Sequence, residues 1–151
     1  MSETSITIRV RRLPHGEDVD LPRAMTPGAA ASDVCAAVSE PLVIAPGAIA
    51  AVPTGLAVEI PAGWELQIRP RSGLALRHGV TLINAPATID SDYRGEILIA
   101  LVNLGREPFV VTHGMRIAQV LPQRVTRVTW EEAPALAETA RGEGGFGHTG
   151  V

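Results

Sequence analysis

The 151-residue chain is expected to fold as an all-β protein, a sandwich or distorted barrel with one short helix and a C-terminal arm. Three observations predict this. Val, Ile and Thr recur in short alternating stretches, which is the period of half-buried strands. Turn signals built on Pro and Gly separate those stretches at near-regular spacing, as in sandwiches and barrels. Runs with helical periodicity are few. Hydrophobic residues make up 46% of the chain, enough for a real core, and the length suits one domain.

Residues 6–11 alternate cleanly and read as the first strand. Residues 15–31 read as loop, with Pro22, Pro27 and Gly28. Residues 42–44 form a short strand stopped by Pro46-Gly47. Residues 49–52 and 56–60 are two further strands, and Pro61-Ala62-Gly63 turns the chain into a strand over 64–69. Ser72 can cap a short helix through 74–78, which Gly79 stops. Residues 80–83 and 96–102 flank an irregular hairpin, and strands over 109–111, 116–121 and 125–130 complete the set. The last of these could pair with a neighbouring chain. Beyond about Glu131, alanine, proline and charge lead into a glycine-rich end. The expected organisation is a β-barrel domain over 1–135 and a flexible arm over 136–151.

Net charge is −3, so no general nucleic-acid surface is indicated, and Arg9, Arg11 and Arg12 suit a solvated strand face. The N-terminus lacks the apolar stretch of a signal peptide, and no apolar run is long enough to span a membrane. The single cysteine, Cys35, has no internal disulfide partner, so a reducing cytoplasm is the expected home. His15, His78, His113 and His148 are scattered without metal-ligand spacing, and no serine has a His/Asp relay around it.

Three segments carry candidate chemistry. In the stretch 84–96, proline, two aspartates and a glycine interrupt the apolar alternation, so Asp90 sits at a turn where a carboxylate can orient water or a metal ion. Tyr93 beside it can pack a flat face against a sugar. In Pro70-Arg71-Ser72-Gly73-Leu74-Ala75, Arg71 offers a rigid fork of donors for phosphate, Ser72 adds a hydroxyl, and Gly73 allows close approach to the backbone. Residues 141–150 hold five glycines with Arg141 and Phe146. Such a segment forms no stable helix or strand alone. It is either a disordered tail or a lid that brings Arg141 to phosphates and stacks Phe146 on a base. It lacks the Gly-Lys-Ser/Thr ending of a P-loop.

Together these segments resemble the trimeric deoxyuridine triphosphatase family. Its five motifs are recognisable in order as Ala30-Ala31-Ser32-Asp33-Val34, Pro70-Arg71-Ser72-Gly73-Leu74-Ala75, the hairpin 84–96, Gly114-Met115-Arg116-Ile117-Ala118-Gln119, and the glycine-rich tail. The resemblance implies a jelly-roll-like β fold, a homotrimer with active sites shared between subunits, and hydrolysis of dUTP to dUMP and pyrophosphate. It implies that Asp90 activates the water that attacks the α-phosphorus, and that Tyr93 packs under deoxyribose and excludes ribonucleotides by shape. Asn84 and the hairpin near Thr88, Ile89 and Leu98 would read uracil. Arg71, Ser72, Gly73 and Gln119 would contact phosphates, and Arg141 and Phe146 would close the pocket. Asp33 would reach a magnesium ion on the triphosphate through water. Arg116 is expected mainly as a structural partner, and Asp92 as a hairpin organiser with Arg94 or a subunit neighbour.

The chain departs from the family where Ala31 and Ala87 replace the usual glycines, and Val34 an often-found leucine. Each alanine restricts positive φ, so a shifted first motif or hairpin is expected if the backbone needs that conformation. Two rivals share the scaffold. One is a deoxycytidine triphosphate deaminase, whose central glutamate motif has no match here. The other is a non-catalytic nucleotide-sensing module.

Overall fold

A computed structural model describes residues 5–150. Its strands are β1 (Arg9–Arg12), β2 (Ser32–Cys35), β3 (Leu42–Ile44), β4 (Ile49–Glu59), β5 (Trp64–Arg69), β6 (Val80–Leu82), β7 (Ala87–Ile89), β8 (Glu96–Asn103), β9 (Phe109–Val111) and β10 (Arg116–Arg124). One α-helix, α1 (Ser72–His78), and a 3-10 turn over Pro14–Gly16 accompany them. The strands form a sheet of order β1-β4-β8-β6, a second of order β2-β10-β5-β7, and a β3-β9 ribbon. Every strand pairing is antiparallel.

Alternation along the strands builds the core. In β8, Ile97, Ile99 and Leu101 are buried while Leu98 between them is exposed. In β4, Val52, Leu56 and Val58 face the same interior, joined by Ile68 of β5 and Ile117 and Val120 of β10. Burial of such apolar side chains, worth about 1.5–3 kcal/mol each, drives the two sheets together. The buried Asn103 ends β8. Its amide donates to the carbonyls of Ile44 and Glu107 at 2.9 and 2.8 Å, and its side-chain oxygen accepts the Gly105 N–H at 2.9 Å. The cost of burying a polar amide is thereby offset, and the ribbon is tied to the first sheet.

The all-β, jelly-roll-like expectation holds, with differences in detail. The first strand begins at Arg9, not residue 6. The two strands expected over 49–60 are one, β4, carrying an irregularity between Pro53 and Ala57. Two strands were not expected, β2, which begins just past the 15–31 loop and overlaps the first motif, and β7 inside the hairpin. Both are short and gain their structure from neighbours, β2 from β10 and β7 from β5. The expected strand over 125–130 is absent, since β10 ends at Arg124 and only the Val125 N–H is held, by Gly63 O at 2.9 Å. Ser72 does not cap α1 but opens it, after Arg71, which makes no side-chain cap bond. Gly79 does stop the helix, at φ 67°, with its N–H on Ala75 O.

Cys35 is buried in β2. Burial, then the nearby Asp20 carboxylate, pushes its thiol above the usual range, so little reactive thiolate exists near neutrality.

The irregularity in β4 lies against the N-terminal turn. Gly55 has φ +66°, and a Cβ there would meet Gly16 Cα at 2.4 Å. Both backbones approach this closely because neither carries a side chain. Gly55→Ala should therefore lower stability by about 3 kcal/mol, combining left-handed strain with overpacking. Denaturant unfolding of both proteins measures this, and a loss under about 0.5 kcal/mol, the ordinary surface range, would contradict the reading.

Candidate active site

Two groups of candidate residues form, on different elements. The first crosses the second sheet. Asp33 in β2 lies opposite Gln119 in β10, and Gln119 lies opposite Arg69 in β5. Directly opposed residues share a face, so the pairing alone puts a carboxylate, an amide and a guanidinium in one row. The chain then turns at Pro70, whose carbonyl accepts from Gln119 Nε2 at 2.9 Å, and this turn brings Arg71 back over the row. Arg71 Nε lies 3.3 Å and Arg116 Nη1 3.0 Å from the same oxygen, Asp33 Oδ2. Arg71 Nη1 also donates to Arg116 O at 3.1 Å. A cleft of about 400 Å³ opens beside them, with Ala29, Ala30 and Ala31 on its far wall. Three guanidiniums against one carboxylate make it a cationic cleft suited to a polyanion. Arg116 is thus an ion-pair partner of Asp33. Arg69 was missed from the sequence, although its place just before Pro70 was a usable signal.

Ser72 and Gly73 open α1 and are exposed. A Cβ on Gly73 would meet nothing within 4 Å, so crowding inside the chain does not demand glycine there.

The second group is the hairpin. The chain leaves β6 in the first sheet, crosses to pair β7 with β5, and returns as β8 beside β6. That detour leaves a hollow of about 240 Å³ walled by Thr88, Ile89, Asp90, Tyr93, Glu96 and Leu98. Asp90 is exposed at its rim, and its carbonyl accepts the Tyr93 N–H at 3.1 Å. The Tyr93 hydroxyl donates to Glu96 O at 3.0 Å. Arg94 Nη1 donates to the carbonyls of Ser91 and Tyr93, at 2.7 and 2.9 Å, rather than pairing with Asp92. Glu96, also missed as a site residue, stands on the wall of the hollow. Asn84 is exposed in the preceding turn and is not among the residues lining it.

No residue lines both the cleft and the hollow. The tail joins neither of them: Arg141 Nε donates to Gly144 O at 2.8 Å, and Phe146 is fully exposed. Among the described residues no group of three or more His, Cys, Asp or Glu gathers for a metal. The two alanine departures do no visible harm, since Phe146 is the sole non-glycine residue with positive φ among those described. Ala87 lies in extended β7, opposite Ile68.

A β scaffold with a cationic cleft and a carboxylate-bearing hollow defines a nucleotide-binding protein of jelly-roll type. The dUTPase family model matches residues 17–150, and the chain belongs to the dUTPase family. Its relatives include the deoxyuridine 5'-triphosphate nucleotidohydrolase of Rhizobium meliloti (strain 1021), 59% identical over 93% of this chain and 89% of that protein. That of Sinorhizobium medicae (strain WSM419) is 58% identical over the same shares, 93% and 89%. Among solved structures, a mutant Staphylococcus bacteriophage 80alpha dUTPase with dUpNHpp superposes with TM-score 0.82, covering 97% of this chain and 100% of that one at 22% identity. A mutant dUTPase from phage phi11 of S. aureus, solved with a structural Mg(II) ion, gives TM-score 0.76 at 20% identity over 86% and 98% of the two chains. At these identities the phage structures bear on the fold.

Gly95 fixes the tyrosine. A Cβ there would stand 2.4 Å from the Tyr93 hydroxyl and 2.6 Å from its ring carbon. Gly95→Ala must therefore displace the ring from the hollow while leaving the sheets intact. Nucleotide turnover should fall about a hundredfold, the scale of a 1 Å misplacement, with an unchanged melting temperature. Steady-state rates and thermal melting of the variant test this.

Proposed function

We propose that the chain hydrolyses dUTP to dUMP and pyrophosphate, a reaction that limits uracil incorporation into DNA and supplies the thymidylate precursor. The observation that carries the reading is the hollow that Asp90 and Tyr93 both line. High identity to named deoxyuridine 5'-triphosphate nucleotidohydrolases supports the same substrate. Asp90 orients a water molecule and draws off its proton as the oxygen attacks the α-phosphorus. The bond from the α-phosphorus to the bridging oxygen breaks, and pyrophosphate leaves. Positioning and charge stabilisation supply most of the acceleration in such phosphoryl chemistry. Tyr93 carries the deoxyribose, while Asn84, Thr88, Ile89 and Leu98 select uracil. Arg71, Ser72, Gly73 and Gln119 take the phosphates, and Arg69 adds charge to the same cleft.

We propose further that the working form is a homotrimer with shared sites. A nucleotide needs both a nucleoside pocket and a phosphate cleft, and one chain keeps them apart. The hollow, at about 240 Å³, is also below the about 300–1,000 Å³ of typical ligand pockets. Closed three-fold symmetry lets one copy's cleft complete another's hollow, with the arm 136–151 of the third as lid. Magnesium fits only as an ion carried by the triphosphate, because the lone carboxylate in the cleft, Asp33, already serves two guanidiniums. When bound, it neutralises developing phosphate charge, and Asp33 would hold its waters. The cytoplasm suits a chain whose single thiol is free and buried.

Incubating the purified protein with each deoxynucleoside triphosphate and magnesium should yield dUMP and pyrophosphate from dUTP alone. Ammonia from dCTP, or no turnover at all, would overturn the assignment. Asp90→Asn keeps size but loses charge, and should cut turnover by about two to four powers of ten while nucleotide binding largely survives. Near-normal turnover would remove Asp90 from its role.

Truncation before Arg141 should leave a folded trimer by mass and melting, because Phe146, the one large apolar group it removes, is fully exposed. Most hydrolysis should be lost, since the open site keeps bulk water. Unchanged rates would show that the arm is dispensable.

A further inference from the structure

We infer that Glu96 and His15 form a clamp that positions Tyr93 and so sets the discrimination between deoxyribose and ribose. The inference rests on the sugar-platform reading of Tyr93. The ladder between β4 and β8 steps from Pro53 opposite Leu98 to Ala57 opposite Glu96. Four positions pass on β4 for two on β8, so the Gly55 N–H has lost its place in the ladder. The Glu96 side chain fills that gap. Its Oε1 accepts the Gly55 N–H at 2.8 Å and faces His15 Nε2 at 2.7 Å. A carboxylate only accepts, so His15 donates through Nε2. The Gly55 carbonyl in turn accepts the Leu13 N–H at 2.8 Å, which fastens the 3-10 turn bearing His15 to the same point.

The backbone of Glu96 faces the other way. Its carbonyl is the acceptor for the Tyr93 hydroxyl. One residue therefore joins the ring that meets the sugar to a strand and a turn distant in sequence. Rejection of a ribose depends on the ring refusing to move when a 2′-hydroxyl presses on it. A ring held by a free hairpin would yield, whereas one whose acceptor is anchored through three elements does not. Glu96 and His15 act through Tyr93 and are positioning residues.

The test compares kcat/KM for dUTP, UTP and dTTP in the full-length protein. Glu96→Ala should lower the dUTP/UTP ratio about tenfold, a fraction of what a full ångström of misplacement costs, and leave the dUTP/dTTP ratio unchanged. Glu96→Gln, which still accepts from Gly55 and His15, should restore the dUTP/UTP ratio. His15→Ala should lower it by a smaller factor. A parallel fall in both ratios, or an unchanged dUTP/UTP ratio in Glu96→Ala, would overturn the clamp. If Glu96→Ala does not fold, His15→Ala with an unchanged ratio overturns it equally. Tyr93→Ala separates the two readings. If it abolishes discrimination while Glu96→Ala does not, only the clamp fails. If Tyr93→Ala keeps discrimination, the sugar platform itself fails.

Discussion

The hairpin half of the candidate site depends on the antiparallel pairing of β4 with β8, and the second sheet packs on that same pair. It runs from Ile49 opposite Val102 to Pro53 opposite Leu98 and holds the centre of the first sheet. Inward-facing Val52, Ile99 and Leu101 supply the apolar floor on which the second sheet lies. Where the ladder steps, the buried Thr54 hydroxyl donates to Ile97 O at 2.7 Å, so the break costs no unsatisfied polar group. The chain leaves the first sheet after β6, touches the second through β7, and returns as β8 at this step. The hollow lined by Asp90 and Tyr93 is the space that this excursion encloses.

The second sheet makes the other half of the site by a different route. Strands β2, β10 and β5 lie side by side, and their register aligns Asp33, Gln119 and Arg69. A shift of one residue in β10 would send Gln119 to the opposite face. Burial of Ile117, Ala118 and Val120 against the core opposes that shift. Packing of apolar residues thus fixes which polar groups meet in the cleft.

Much of this was legible in the residues. Alternation and turn pairs identified β3, β5, β6, β8 and β9, because each buries one face and shows period two. The short strands β2 and β7 were not legible. Unlike the equally short β3, β6 and β9, they sit among Asp, Ser and Pro residues that read as turn, and pairing with β10 and β5 decides their state. Residues 125–130 misled in the opposite sense. They alternate like a strand, yet Val128 and Trp130 are exposed and have no partner strand among the described residues. Asp90, Tyr93, Arg71 and Gln119 were identifiable through motifs. Glu96 was not, since His15 and Gly55, which hold its carboxylate, lie far away in sequence, whereas Arg69 beside Pro70 could have been found. The concern over Ala31 and Ala87 came from treating glycine as a conformational need, whereas both positions adopt ordinary backbone here.

If the cleft takes the phosphates as proposed, its ion-pair arrangement bears on how the protein lets go of its ligands. Before any nucleotide arrives, Arg71 and Arg116 already share the Asp33 carboxylate. An incoming phosphate chain would then take over guanidinium protons that an internal anion is using, and the internal anion would return when the ligand departs. Such an exchange favours a ligand bearing several charges over one bearing few. A triphosphate can displace the carboxylate from both arginines at once, while a monophosphate contends for them with less charge. The resting pair would thus keep the arginines ordered and offset part of their charge, and it would bias the cleft toward release once the phosphate chain has been cut.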